Sequence, residues 1–115
     1  MPGGTKNIGL FSRSVFTAMK RTAFFINIGR GETVDEAALY EVLREQRIAG
    51  AGLDVFHAEP LPAGSPFWDM PNVFLTPHIG GFFAEYDEYV MPILSGNMEL
   101  FLAGRFVDMR NLVPH

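Results

Sequence analysis

The sequence predicts an α/β fold built on a parallel sheet. Three observations carry this. Short apolar runs recur along the chain, at Ala23 to Ile28, Ile48 to Phe56 and Val73 to Thr76, and the shorter ones cannot make a buried helix. A stretch with helical periodicity lies between the first two runs. The order is therefore strand, helix, strand, crossover, strand, which is the order of parallel pairing.

The elements follow in turn. Ser12 to Lys20 reads as a short helix, with Val15, Phe16 and Met19 at helical spacing and Ser12 as its N-cap. Ala23 to Ile28 is the first strand, expected to be buried, and Gly29 and Gly31 punctuate its end. Thr33-Val34-Asp35-Glu36 matches a capping box, in which the Thr33 hydroxyl caps the helix and Glu36 reaches back. In the helix that follows, Ala38, Leu39, Val42 and Leu43 form one apolar stripe, and Arg44 and Arg47 suit its C-terminus.

Ile48 to Phe56 is the second strand, and its glycines point to a close backbone neighbour. The crossover from Glu59 to Pro66 holds three prolines in eight residues, at 60, 62 and 66, with Phe67, Trp68 and Met70 expected to fold it back onto the body. Val73 to Thr76 is the third strand, stopped by Pro77. A last helix is expected from about Phe83 to Ala103, burying Tyr86, Val90, Ile93, Leu94, Met98, Phe101 and Leu102, and kinked or interrupted at Pro92.

Composition narrows the function. The chain has 115 residues, 48% hydrophobic and 19% charged, with a net charge of −4. That is the size and profile of one globular domain. The acidic balance, without a basic run, argues against nucleic acid or an anionic membrane as partner. No cysteine is present, which removes disulfides, thiolate nucleophiles and Cys-ligated metals. Neither a signal peptide nor a membrane-spanning run is visible, consistent with the cytoplasm. Three strands leave an apolar sheet edge open, so a larger sheet and a homo-oligomer are expected.

Ligands in open α/β sheets gather beyond the carboxyl ends of the strands. Arg30 follows the first strand, Asp54 and Glu59 the second, and His78 the third. Arg30 offers a planar fork of donors for a carboxylate. His78 can move a proton near neutral pH, and Glu59 beside it would favour the imidazolium. Asp54 can accept a hydrogen bond from an amide of a ligand. Taken singly, each of these has a bland reading as a loop residue or a structural hydrogen bond. Their convergence on one sheet end is what favours chemistry. Neither Gly29-Arg30-Gly31 nor Gly50-Ala51-Gly52 fits a phosphate-binding GxGxxG turn. His57, Glu59 and His78 make a weak metal alternative, so no metal is expected.

The residues carry a family resemblance. Asn27-Ile28-Gly29-Arg30-Gly31 is one block. Gly50-Ala51-Gly52-Leu53-Asp54-Val55-Phe56-His57-Ala58-Glu59-Pro60 is a second. Ser65-Pro66-Phe67-Trp68, then Pro71-Asn72-Val73 and Thr76-Pro77-His78, is a third. In this order they resemble the D-isomer-specific 2-hydroxyacid dehydrogenases, from about Thr5 to Val113. The Ser65 to Trp68 segment and Gly80-Gly81-Phe82 are most similar to the glyoxylate/hydroxypyruvate reductase-like members. Glu59, where formate dehydrogenases of the superfamily carry Gln, favours the hydroxyacid branch.

The resemblance implies a partial Rossmann-like parallel sheet of about three strands, with flanking helices and a long C-terminal helix. Residues 1–115 would be the C-terminal portion of a dinucleotide-binding domain, without the GxGxxG half and the substrate domain. It implies hydride transfer between NAD or NADP and a small 2-keto or 2-hydroxy acid. Arg30 would bind the substrate carboxylate, His78 would be the general acid/base, and Glu59 its partner. Ile28, Gly29, Arg30, Asp54, His78 and Gly80 would meet the cofactor, with Asp54 holding the nicotinamide carboxamide. The missing N-terminal part of the same protein would be the partner needed for turnover. The alternative is a stand-alone, non-catalytic interaction module that retains the motifs.

Overall fold

A computed structural model describes residues 5–112. Val113, the last residue of the resemblance, lies outside the described residues, as does the start of the segment read for a signal peptide. The chain divides into two compact units, Met1–Gly81 and Phe82–His115.

The first unit is built on α1 (Arg13–Ala18), β1 (Phe24–Asn27), α2 (Glu36–Arg44), β2 (Gly50–Leu53) and β3 (Val73–Leu75). The three strands pair in parallel in the order β1-β2-β3. Each is shorter than its apolar run. Asn27 pairs with Leu53 and Leu53 with Leu75. The chain therefore leaves all three strands at one level, and Ile28, Asp54 and Thr76 emerge side by side.

One face of this sheet is packed. Phe25, Ala51 and Leu53 join Phe16 of α1 and Ala38, Leu39, Val42 and Leu43 of α2 in a single core. The Phe16 and Phe25 rings meet edge to face at 5.1 Å. The helical stripe read from the sequence is the buried stripe. Phe67 closes the core from the crossover, against Tyr40 and Phe56. Met70 packs against its margin, while Trp68 stays 53% exposed and donates from Nε1 to the Pro62 carbonyl at 2.9 Å.

The opposite face is open, which corrects the expectation of a fully buried first strand. Phe24 (67%), Ile26 (69%) and Phe74 (72%) are exposed there, with Gly52 in register between Ile26 and Phe74. β1 buries alternate residues only, because no described element of this unit covers that face.

The capping also differs from the sequence reading. Asp35, and not Thr33, caps α2, accepting from the Ala38 amide at 3.0 Å. Thr33 sits in a 3₁₀ turn and donates its hydroxyl to the Arg30 carbonyl at 2.7 Å. Glu36 reaches forward to the His57 amide at 2.7 Å. A carboxylate one residue before the helix outcompetes a hydroxyl three residues before it. Ser12 precedes α1 without a capping hydrogen bond, its hydroxyl lying 2.9 Å from that of Ser14.

The second unit is led by α3 (Tyr86–Leu102). It runs without interruption past Pro92, contrary to one of the expected alternatives. The Asn97 side chain makes two 2.8 Å hydrogen bonds to the backbone of Arg110, folding the chain end back on the helix. None of the α3 residues is buried, so the expected buried side is absent. Among the described residues of this unit, Phe82 and Phe83 meet Tyr86 and Tyr89 at the start of α3 and the short segment after the helix returns to its end, and neither covers an apolar stripe. No helix among the described residues is long and apolar enough to cross a membrane.

Candidate active site

The parallel register delivers three loops to one end of the sheet. Asn27 shapes the first. It is 7% exposed, its Nδ2 donates to the Arg30 carbonyl at 3.1 Å, and its Oδ1 accepts from the Gly29 amide at 3.1 Å. An Asn leaving a strand favours such a turn because its side chain substitutes for backbone partners. Arg30 is held by its backbone, and its side chain is exposed. Nη1 donates to the Gly29 carbonyl at 2.8 Å, and among the described residues the guanidinium has no carboxylate partner. It is a cation free to take an anion.

The second loop carries Glu59. Its Oε1 accepts from the Phe56 amide at 2.9 Å, and its Oε2 lies 2.7 Å from Nδ1 of His78. The His78 bond and then the Phe56 amide hold the Glu59 carboxyl below the usual carboxylate range, burial opposing them. Glu59 is thus an anion, and Nδ1 of His78 is the donor. Among the described residues Nε2 of His78 has no partner, so it is the nitrogen left to exchange a proton. The pair is half-open, with side chains 47% and 35% exposed for His78 and Glu59.

Asp54 differs in kind. It is 3% exposed and accepts three hydrogen bonds, from the Thr76 hydroxyl (2.5 Å), the Ile79 amide (2.9 Å) and the Gly80 amide (2.8 Å). Burial pushes its carboxyl up, and these three bonds outweigh burial and hold it below the usual range. A carboxylate offers about four lone-pair sites, so one remains on Oδ2. Glycine at 80 lets the chain come this close: a Cβ would lie 2.9 Å from Oδ2 of Asp54 and 3.4 Å from Cβ of Ile28, and Asp54 would have to shift. Ile28, at the mouth of the first loop, is 67% exposed.

Two of the three expected catalytic residues, Glu59 and His78, are therefore joined directly. Arg30 reaches the same sheet end on a separate loop, and its side chain touches neither of them. A cleft of about 570 Å³ opens beside the pair, walled by Leu61, Trp68, Leu75 and Pro77. His57 is spent elsewhere, with Nε2 2.8 Å from the Val34 carbonyl. Among the described residues no group of three or more metal-binding side chains stands together. Asn27, Thr76 and Gly31 were missed as site residues by sequence reasoning. Asn27 and Thr76 each stand at a strand end, which was the available signal.

Comparison with known proteins extends this geometry. Residues 1–80 match the family described as D-isomer specific 2-hydroxyacid dehydrogenase, NAD binding domain. A probable 2-ketogluconate reductase of Dictyostelium discoideum is 50% identical over 80 residues, covering 70% of this chain and 24% of that protein. A glyoxylate/hydroxypyruvate reductase B of Pectobacterium carotovorum is 52% identical over 80 residues, again 70% of this chain and 25% of the other. This chain thus spans about a quarter of the length of those curated relatives. Among solved structures, a D-isomer specific 2-hydroxyacid dehydrogenase from Xanthobacter autotrophicus in complex with NADPH and MES is similar, with a TM-score of 0.86 at 39% identity. That match covers 99% of this chain and 46% of the other. An NADPH-dependent glyoxylate/hydroxypyruvate reductase from Sinorhizobium meliloti, in complex with NADP and sulfate, gives a TM-score of 0.84 at 32% identity, over 98% and 36% of the two chains. With the parallel sheet and the loops at its carboxyl end, these matches show that the chain belongs to the D-isomer specific 2-hydroxyacid dehydrogenase family, in its NAD-binding domain.

Proposed function

We propose that this chain is the catalytic portion of an NAD(P)-dependent oxidoreductase that interconverts a 2-keto acid and a D-2-hydroxy acid. The observation that carries the reading is the Glu59–His78 hydrogen bond at 2.7 Å, with Glu59 held ionised. An anion on Nδ1 fixes the tautomer and the orientation of the ring. Nε2 then gives its proton to a carbonyl oxygen, or takes it from a hydroxyl in the reverse direction. Arg30, with no carboxylate partner of its own, binds the substrate carboxylate and orients the carbonyl toward His78.

The residues fit the nicotinamide end of a cofactor. Asp54 keeps one acceptor site on Oδ2 for a carboxamide, and the missing Cβ of Gly80 leaves room between Asp54 and Ile28. Ile28, Gly29 and Arg30, at the end of the neighbouring strand, and His78 would complete the contacts with the nicotinamide. A bound nicotinamide would supply or accept the hydride. The sequence holds no glycine-rich turn opening a helix, the usual seat of a pyrophosphate. We therefore read residues 1–115 as the C-terminal portion of a dinucleotide-binding domain. Turnover needs the remainder of the enzyme, and the open sheet face and edge favour a homo-oligomer.

The test is reduction of glyoxylate and hydroxypyruvate with NADH or NADPH. The chain is assayed alone and within the longer reading frame, beside His78→Ala and Arg30→Ala. We expect turnover only in the longer protein and its loss in both variants. Micromolar NADH binding by the isolated chain in calorimetry would overturn the division of labour. A longer protein indifferent to His78→Ala would leave the non-catalytic interaction module as the better reading.

A further inference from the structure

Three groups close to His78 in sequence converge on one buried carboxylate. Thr76 stands two residues before it, and its hydroxyl donates to Oδ1 of Asp54. Ile79 and Gly80 follow His78 directly, and their amides donate to Oδ1 and Oδ2. The turn is thus held from both sides. Between these anchors the His78 backbone takes φ +55°, a region a side-chain-bearing residue enters only with support from its surroundings. From that backbone the ring reaches Glu59 at 2.7 Å. Asp54 is itself fixed, its amide donating to the Asn27 carbonyl of β1 at 3.0 Å.

We infer that Asp54 and Thr76 are positioning residues, whose hydrogen bond holds the left-handed turn that aims Nδ1–H of His78 at Glu59. Thr76 is part of neither the proposed substrate contacts nor the proposed cofactor contacts. Its hydroxyl does bond Asp54 of the proposed nicotinamide site, so the readout is the His78 ring itself and not cofactor binding or rate. The inference rests on the proposed function only for its meaning in catalysis, and the geometric claim stands apart.

The experiment reads the His78 tautomer by long-range ¹H–¹⁵N correlation in the 115-residue chain, with the imidazole neutral. The wild type should show the Nδ1–H form that Glu59 selects. Thr76→Val, which deletes the donor, should lose that preference, and Thr76→Ser should restore it. Thr76→Val that keeps the Nδ1–H form would overturn the inference. Should Thr76→Val fail to fold, hydrogen exchange in the wild type decides. Ile79 and Gly80 amides protected like those of β2 support the clamp, and unprotected ones overturn it. Loss of the acid–base reading has a separate signature, a fully active His78→Ala enzyme, and it would leave the tautomer result standing.

Discussion

A Cβ at Gly31 would lie 2.0 Å from the carbonyl carbon of Phe56. The two residues belong to different loops, one carrying Arg30 and the other leading to Glu59. The bare glycine lets the first loop rest directly on the backbone of the second. Phe56 uses its own amide to hold Glu59, so this contact links the two halves of the site.

Gly31→Ala is therefore expected to be severe. The obstacle is backbone, which cannot rotate away as a side chain can. Overpacking of this kind costs roughly 1–3 kcal/mol or more. Gly64→Ala is the control, since nothing lies within 4 Å of a Cβ there. It should stay within about 0.5 kcal/mol of wild type. Paired denaturant titrations measure both, and equal midpoints for the two variants would contradict the assignment.

Glu59→Gln keeps the shape of the side chain and removes its charge. In the assembled enzyme the rate should fall about 10²–10⁴-fold, the usual worth of a general acid–base arrangement. The pair also has a pH window. The Glu59 carboxyl is depressed in the fold, so its contribution is complete above the ordinary carboxylate pKa and fades as pH falls through the depressed value. The acid limb of the rate profile should carry this loss in the wild type, and Glu59→Gln should lack it.

Asp54 gives the stability counterpart. Its carboxyl is depressed in spite of burial, so the stabilisation is present above the ordinary value of 3.8 and is lost as pH falls through the folded one. Asp54→Asn turns one acceptor oxygen into a donor facing other donors. Leaving such groups unsatisfied costs about 1–3 kcal/mol. Chemical denaturation stepped downward in pH should show a steep acid loss in the wild type and a flatter one in Asp54→Asn. Parallel acid limbs would show that Asp54 is not the group responsible.

Much of this was legible in the residues. The apolar spacing of Ala38, Leu39, Val42 and Leu43 foretold the buried helix face, because a 3.6-residue period has one simple origin. The parallel order followed from the alternation of strand and helix, and it brought Arg30, Asp54, Glu59 and His78 to one end of the sheet. What escaped depended on tertiary context. Phe24 and Ile26 are as apolar as Phe25, so only the position of the covering helices decides which of them is buried. The apolar residues of α3 looked like a core for the same reason. The Asp54–Thr76 bond joins residues 22 apart, beyond any local pattern. Likewise, the glycine at 31 reads as a turn residue until Phe56 is placed beside it.

The end of α2 offers a prediction free of the site. Gln46 takes φ +53°, its amide donates to the Leu43 carbonyl at 3.1 Å, and the Arg47 amide donates to Val42 at 2.8 Å. This is a Schellman closure, in which the left-handed position usually holds glycine. A side-chain-bearing residue there costs about 1–2 kcal/mol. Glycine would remove that cost and lose about 0.5–1 kcal/mol through the greater freedom of the unfolded chain. The difference favours Gln46→Gly by roughly 0–1.5 kcal/mol. For a domain of this size that corresponds to a rise in Tm of a few degrees. Gln46 is exposed and makes no side-chain hydrogen bond among the described residues, so little else is lost. Differential scanning calorimetry of the two proteins settles the sign, and a lower Tm for Gln46→Gly would mean that the entropy term dominates at this helix end.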